Sequence, residues 1–159
     1  MKPLYKTVGV VGTGAMGRGI AQIAAQAGST VKLFDLQADA GAKAKAALHD
    51  QWDKLVAKGR LEESVAADQK SRVFTLASLA ELADCDLIVE AVVERLDIKQ
   101  SLFAELEALV SPEAVLATNT SSLSVTAIAA KLKHPGRFAG YHFFNPVPLM
   151  KVVEVIAGL

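Results

Sequence analysis

A short apolar run, Val8-Gly9-Val10-Val11, passes directly into Gly12-Thr13-Gly14-Ala15-Met16-Gly17, and no other stretch constrains the fold of this chain as tightly. A helical stretch from about Ala15 to Ala27 follows. A second apolar run, Val31-Lys32-Leu33-Phe34, then ends on Asp35. Three glycines alone would mean little, because short patterns of Gly, Ala and Val recur by chance. Strand, glycine turn, helix, strand and terminal acid in this order are what a dinucleotide-binding βαβ unit requires. An ordinary βαβ crossover, its glycines serving only packing, is the alternative.

Each position has a physical reason. Gly12 permits a tight turn out of the strand, and Gly14 lets the backbone approach a pyrophosphate. Gly17 lets the helix lie close on the sheet. The free N–H groups at Ala15 and Met16, with the positive end of the helix dipole, face the phosphates. Asp35 lies where a carboxylate accepts hydrogen bonds from both hydroxyls of an adenosine ribose. An anion there repels a 2′-phosphate, and no Arg follows in Leu36-Gln37, so NAD is expected over NADP.

The 159 residues suffice for one domain with a real core and are too few for two ordinary ones. The chain is 52% hydrophobic and only 6% aromatic, rich in Ala, Val and Leu, which suits a sheet buried between helices. Lys and Arg balance Asp and Glu at 17 each, without a basic stripe, which argues against nucleic acid as a partner. The single Cys85 rules out an internal disulfide framework, and no Cys or His pairing suggests a zinc site. Lys2 and Lys6 ahead of an apolar stretch imitate a signal peptide. Glycines and Arg18 interrupt that stretch, and the nucleotide fold accounts for it. No run approaches the ~20 apolar residues of a membrane span. A cytoplasmic protein is expected.

Beyond Asp35, Ala38 to Lys58 reads as a helix with Leu48, Trp52, Leu55 and Val56 at helical spacing. Gly59 ends it. Leu61 to Ser71 reads as a second helix, so the pair predicts a hairpin standing off the sheet. Val73–Leu76 is a short strand, Leu79–Asp84 a turn of helix, and Asp86–Ala91 a buried strand. Ile98–Val110 is a helix, Ala114–Ala117 a strand, and Ser124 caps a helix from Val125 to Leu132. Phe138–His142 and Val152–Ile156 are the last strands. The alternation predicts an α/β fold, a Rossmann-type doubly wound and largely parallel sheet with helices on both faces. Ligands of such sheets lie beyond the carboxyl ends of the strands. Gly12–Gly17, Asp35, Ala91–Glu94, Asn119–Ser122 and His142 all fall on that edge.

Several of these residues suit proton and hydride chemistry. A metal-free alcohol dehydrogenase needs a base for the hydroxyl proton, and the imidazole of His142 titrates in a suitable range. A carboxylate must orient that imidazole, and Glu154, flanked by Val152-Val153 and Val155, is the candidate. It is either partly buried with a partner or an exposed strand residue. Ser121 and Ser122 follow a strand, as a contact for the reacting oxygen or the nicotinamide ribose, or as a polar turn. No adjacent base makes either a nucleophile. Glu94 suits the start of the following helix. Lys99 is either a ribose contact or a solvated lysine. His49 and His134 read as surface residues.

These residues resemble the L-3-hydroxyacyl-CoA dehydrogenases. The match rests on Val11–Gly17, on Glu90-Ala91-Val92-Val93-Glu94, on Asn119-Thr120-Ser121-Ser122, and above all on Gly140-Tyr141-His142-Phe143-Phe144-Asn145-Pro146-Val147-Pro148-Leu149-Met150-Lys151-Val152-Val153-Glu154-Val155. The resemblance implies NAD-dependent, reversible oxidation of a 3-hydroxyacyl-CoA to the 3-ketoacyl-CoA. It implies His142 as general base, Glu154 as its orienting carboxylate and Ser121 as the contact to the substrate oxygen. Asp35 is implied as the adenosine-ribose acid, Glu94 and Lys99 as nicotinamide-side contacts, Asn119 as a cofactor residue and Asn145 as a substrate-side residue of the base motif. Lys58 and Arg60, on the helical hairpin, are implied as CoA phosphate partners. Members of the family continue into a helical C-terminal domain that supplies a catalytic asparagine and most of a homodimer interface, and this chain stops at Ala157-Gly158-Leu159. The chain is therefore expected to be the cofactor-binding domain. Two other expectations are a small β-hydroxy-acid dehydrogenase with a lysine base, and an NAD-binding structural or sensor protein without catalysis.

Overall fold

The computed structural model describes residues 2–159. β-Branched and aliphatic residues form the strands β1 (Thr7–Val11), β2 (Thr30–Phe34), β3 (Val73–Thr75), β4 (Leu87–Glu90), β5 (Val115–Thr118), β6 (Phe138–Phe143) and β7 (Val153–Ala157). They make one sheet in the order β3-β2-β1-β4-β5-β6-β7. Every pairing is parallel except that of β6 with β7. The order reverses between β1 and β4, which opens a crevice at their carboxyl ends.

The helices are α1 (Ala15–Gln26), α2 (Ala40–Ala57), α3 (Glu63–Ser71), α4 (Leu96–Leu109) and α5 (Val125–Ala129). Alternation along the buried strands feeds two cores. Val8, Val10, Val31, Leu33 and Val89 pack with Ile20, Leu48 and Trp52 of α1 and α2. Val11, Ile88 and Leu116 face the other way, onto Phe103, Leu106 and Ile128 of α4 and α5. Phe103 and Phe138 meet edge to face, their centroids 4.8 Å apart. Cys85 is buried, and that burial pushes its thiol up to about 12.

Several expectations change. The α2–α3 hairpin does not stand off the sheet, because Leu48 and Trp52 are fully buried in the core it shares with α1. Its far end, Lys58 to Arg60, is exposed. His49 is half-buried rather than on the surface, lying against Trp52 with its Nε2 enclosed. Leu79–Leu82 is a 3-10 turn. Helix α5 ends at Ala129 instead of Leu132, with the Ser124 hydroxyl accepting from Ala127 N at 3.1 Å as its cap. The final strand is antiparallel and exposed along its whole length.

Candidate active site

The turn after β1 is built by steric exclusion. Gly12 has φ +96°, and a Cβ there would come within 2.6 Å of the Ala91 carbonyl oxygen. A Cβ on Gly17 would lie 1.8 Å from the Gly12 carbonyl oxygen, so only glycine lets α1 seat against the turn. At Gly14 a Cβ would meet nothing within 4 Å. Gly14 thus borders open space, at a helix start with neither a side-chain cap nor an acid in its first turn. Ala15 is exposed there, and uncapped N–H groups beside open space fit a pyrophosphate.

Asp35, just after β2, ties down the glycine turn. Its Oδ2 accepts from Thr13 N and Thr13 Oγ1, both at 2.9 Å, and its Oδ1 from Gln37 N at 3.0 Å. Partial burial opposes ionisation, but the backbone N–H of Gln37 and the N–H and hydroxyl of Thr13 outweigh it and hold the carboxyl below its ordinary range. A cleft of about 620 Å³ runs past Gly14 and Asp35 and is also lined by Arg18 and Lys43. Leu36 and Gln37, which follow Asp35, bring no Arg to this cleft. Arg18 and Lys43 reach the cleft from α1 and α2, which spacing along the chain does not reveal.

Ala91 and Val92 join this cleft to a second one of about 360 Å³, lined by Met16, Glu94, Asn119, Ser121, His142 and Asn145 among others. The two together form a groove across the switch point, the place where a parallel sheet receives a dinucleotide. A separate hollow of about 640 Å³, around Glu107 and Arg137, holds none of these residues.

In the second cleft, His142 Nδ1 lies 3.2 Å from Glu154 Oε2, across a direct register pair of the antiparallel β6–β7 ladder. Phe144 flanks the imidazole, with ring centroids 4.6 Å apart. Of the two readings of Glu154, the exposed strand residue holds, with its partner in place: its side chain is 55% exposed on β7, the edge strand of the sheet. The Asn119 carboxamide oxygen accepts from Phe143 N at 3.0 Å, tying the β5 loop to the residue after His142. Asn145 is exposed at the rim.

The two serines separate in role. Ser122 Oγ donates to Glu94 Oε2 at 3.1 Å, whereas the exposed Ser121 hydroxyl has no hydrogen bond among the described residues and faces the cleft. Thr120 Oγ1 also donates to Glu94 Oε2, at 2.6 Å. Glu94 is partly buried, which disfavours its charge, yet Lys99, Thr120 and Ser122 prevail and lower its carboxyl below the ordinary range.

Lys99 is neither solvated nor open to the groove. It is fully buried, with Nζ 2.8 Å from Glu90 Oε2 and 2.8 Å from Glu94 Oε1. In this arrangement it acts on a ligand only through Glu94, and it is unavailable as the lysine base of a small-acid dehydrogenase. Sequence reasoning placed Glu90 in a motif and gave it no task. The available signal was an acid closing an otherwise apolar strand, since an acid so enclosed needs a partner. Among the described residues no group of three or more His, Cys, Asp or Glu could hold a metal, and no helix is long and apolar enough to cross a membrane.

The family model of the 3-hydroxyacyl-CoA dehydrogenase NAD-binding domain matches residues 7–159. The chain is 45% identical over 154 residues to 3-hydroxyadipyl-CoA dehydrogenase of Escherichia coli, covering 97% of this chain and 32% of that protein. It is 43% identical to 3-hydroxybutyryl-CoA dehydrogenase of Bradyrhizobium diazoefficiens over all of this chain and 54% of that one. The crystal structure of an Escherichia coli 3-hydroxybutyryl-CoA dehydrogenase superposes with a TM-score of 0.93 at 44% identity, covering 95% of this chain and 32% of the other. The chain thus spans about a third to a half of the length of these relatives. A glycine turn, a parallel sheet with its switch point and a family match over nearly every residue agree: this chain belongs to the 3-hydroxyacyl-CoA dehydrogenase family and is its NAD-binding domain.

Proposed function

We propose that the protein to which this domain belongs oxidises a 3-hydroxyacyl-CoA reversibly to the 3-ketoacyl-CoA, with His142 as the general base. The observation that carries the reading is the His142–Glu154 pair, at 3.2 Å, on the rim of a cleft continuous with the cofactor groove. NAD, when bound, supplies the hydride acceptor. Glu154 occupies Nδ1 of the ring and leaves Nε2 to take the substrate's hydroxyl proton. The same carboxylate stabilises the imidazolium that results. Ser121, whose hydroxyl has no hydrogen bond among the described residues, donates to the substrate oxygen. Asn119 fixes the backbone after His142 and so the direction of the ring. Asn145 lines the substrate side of the cleft.

Acyl-CoA as the substrate class rests on the names of the relatives. Lys58 and Arg60, exposed at the end of the hairpin, are proposed for the CoA phosphates. A helical domain outside these residues is proposed to complete the substrate cleft and to pair the subunits of a homodimer. A cytoplasmic setting belongs to the same proposal. The test is oxidation of NADH with acetoacetyl-CoA by the full-length protein and by its His142→Ala variant. Turnover is expected to fall on the order of 100- to 10,000-fold with NADH affinity within about twofold. Unchanged turnover in the variant would remove the base assignment.

A further inference from the structure

Beneath the His142 cleft lies a charged cluster that no step above uses. Glu90, which ends β4, is fully buried. Its Oε1 accepts from Thr118 Oγ1 at 2.5 Å and Lys99 Nζ at 3.0 Å. Its Oε2 accepts from Lys99 Nζ at 2.8 Å and Val92 N at 2.6 Å. Every group that reaches this carboxylate is a donor, so the pocket suits the ionised form; a protonated acid would force another hydrogen among them. Burial alone pushes the carboxyl above its ordinary range, and Lys99, Thr118 and the Val92 N–H act against that push.

Two carboxylates, Glu90 and Glu94, share the single ammonium of Lys99. The cluster therefore carries one surplus negative charge. A Lys99–Glu94 pair alone would be neutral and would avoid burying a second carboxylate, which is costly. Of the three charged groups only Glu94 has exposed surface, with its side chain 38% exposed while Lys99 and Glu90 show none. The surplus charge is thus presented to the cleft that holds Ser121 and His142.

The nicotinamide ring is a cation when oxidised and neutral when reduced. We infer that Glu90 sets the oxidation-state preference of the cofactor site: by claiming part of Lys99 it leaves Glu94 with uncompensated charge toward the ring, which favours NAD⁺ over NADH. The inference rests on the reading above that the nicotinamide end lies in the His142 cleft. Glu90 touches no cofactor atom in this scheme. It is a positioning residue for charge, and a purely structural role would weaken both forms of the cofactor alike.

The experiment is titration of NAD⁺ and of NADH into the wild-type chain and three variants, reading the ratio of the two dissociation constants. In Glu90→Gln, Lys99 is left wholly to Glu94, and NAD⁺ is expected to lose about tenfold in affinity relative to NADH. Glu90→Asp keeps the charge, and its ratio should stay within about twofold of wild type. The double variant Glu90→Met/Lys99→Met replaces the buried pair with apolar side chains, a change such pairs often tolerate, and leaves Glu94 unpaired. Its ratio should match wild type or favour NAD⁺ further. Equal loss of both forms in Glu90→Gln overturns the proposal, and so does a double variant whose ratio shifts toward NADH; the latter decides the matter if Glu90→Gln fails to fold. Ser121→Trp separates the two levels of the argument by filling the His142 cleft. If it leaves both affinities unchanged, the nicotinamide lies elsewhere and the underlying reading falls. If it weakens binding while Glu90→Gln leaves the ratio unmoved, only the charge proposal falls.

Discussion

His142 and Glu154 sit directly opposite each other on the antiparallel β6–β7 ladder, and this register alone brings imidazole and carboxylate within 3.2 Å. A slip of one residue would turn Glu154 to the other face of the sheet. Replacing Glu154 with Gln keeps its shape and removes the charge that stabilises an imidazolium. In the full-length protein kcat is expected to fall on the order of 10- to 100-fold with NADH affinity unchanged. Single-turnover kinetics alongside NADH titration checks this, and a loss confined to cofactor binding would contradict the pairing.

Gly14 and Gly17 make a contrasting pair. Gly14→Ala adds a methyl into open space, so unfolding free energy should move by less than about 0.5 kcal/mol. NADH binding should nonetheless weaken about tenfold or more, because that space is where the pyrophosphate approaches. Gly17→Ala drives a Cβ to within 1.8 Å of the Gly12 carbonyl oxygen and should cost about 2 kcal/mol or more together with binding. Denaturant melts and NADH titration on both variants separate the two effects.

Asp35 holds Thr13 in place and is proposed to read the adenosine ribose. Asp35→Ala is expected to weaken NADH about tenfold or more, because the charge-assisted bonds to the ribose and the anchor of the glycine turn are lost together. It should also narrow the preference over NADPH, since Arg18 and Lys43 then line the cleft without an opposing anion. An unaltered NADH-to-NADPH ratio would assign Asp35 to structure alone.

The carboxyls of Asp35 and Glu94 are held below their ordinary range in the folded chain. Above about pH 5 both are ionised folded or unfolded, and their contribution to stability is fully present. As pH falls through about 4, the unfolded chain takes up protons first, and stability drains until the folded-state values are passed. Denaturant midpoints measured down from pH 6 should therefore fall more gently in Asp35→Asn than in wild type. A steeper fall would reverse the assigned sign.

The βαβ unit was legible because its signals are local. Strand, turn, helix and acid follow one another, and Gly17 answers to Gly12 within the same turn. The site edge was legible for a related reason, since a parallel sheet sends every strand's carboxyl end to one side. The Lys99 side chain was not. An isolated lysine near a helix start reads as solvated, and nothing in its neighbours announces two carboxylates arriving from β4 and the loop after it. Glu154 was legible as the partner of His142, but its burial was not: apolar neighbours report a preference for burial, not the arrival of a covering surface, and β7 is an edge strand exposed along its length.

Sequence alone determined the fold class, the glycine turn, the acid that follows β2 and which residues fall on the carboxyl edge of the sheet, because backbone geometry and hydrophobic period are properties of short segments. The tertiary structure decided how those residues meet. It made the expected His142–Glu154 pair through an antiparallel register, gave Ser122 to Glu94 while leaving Ser121 without a hydrogen bond among the described residues, and enclosed Lys99 between two acids. The strengths of those contacts depend on distance and burial, and both are created only when segments far apart in the chain pack together.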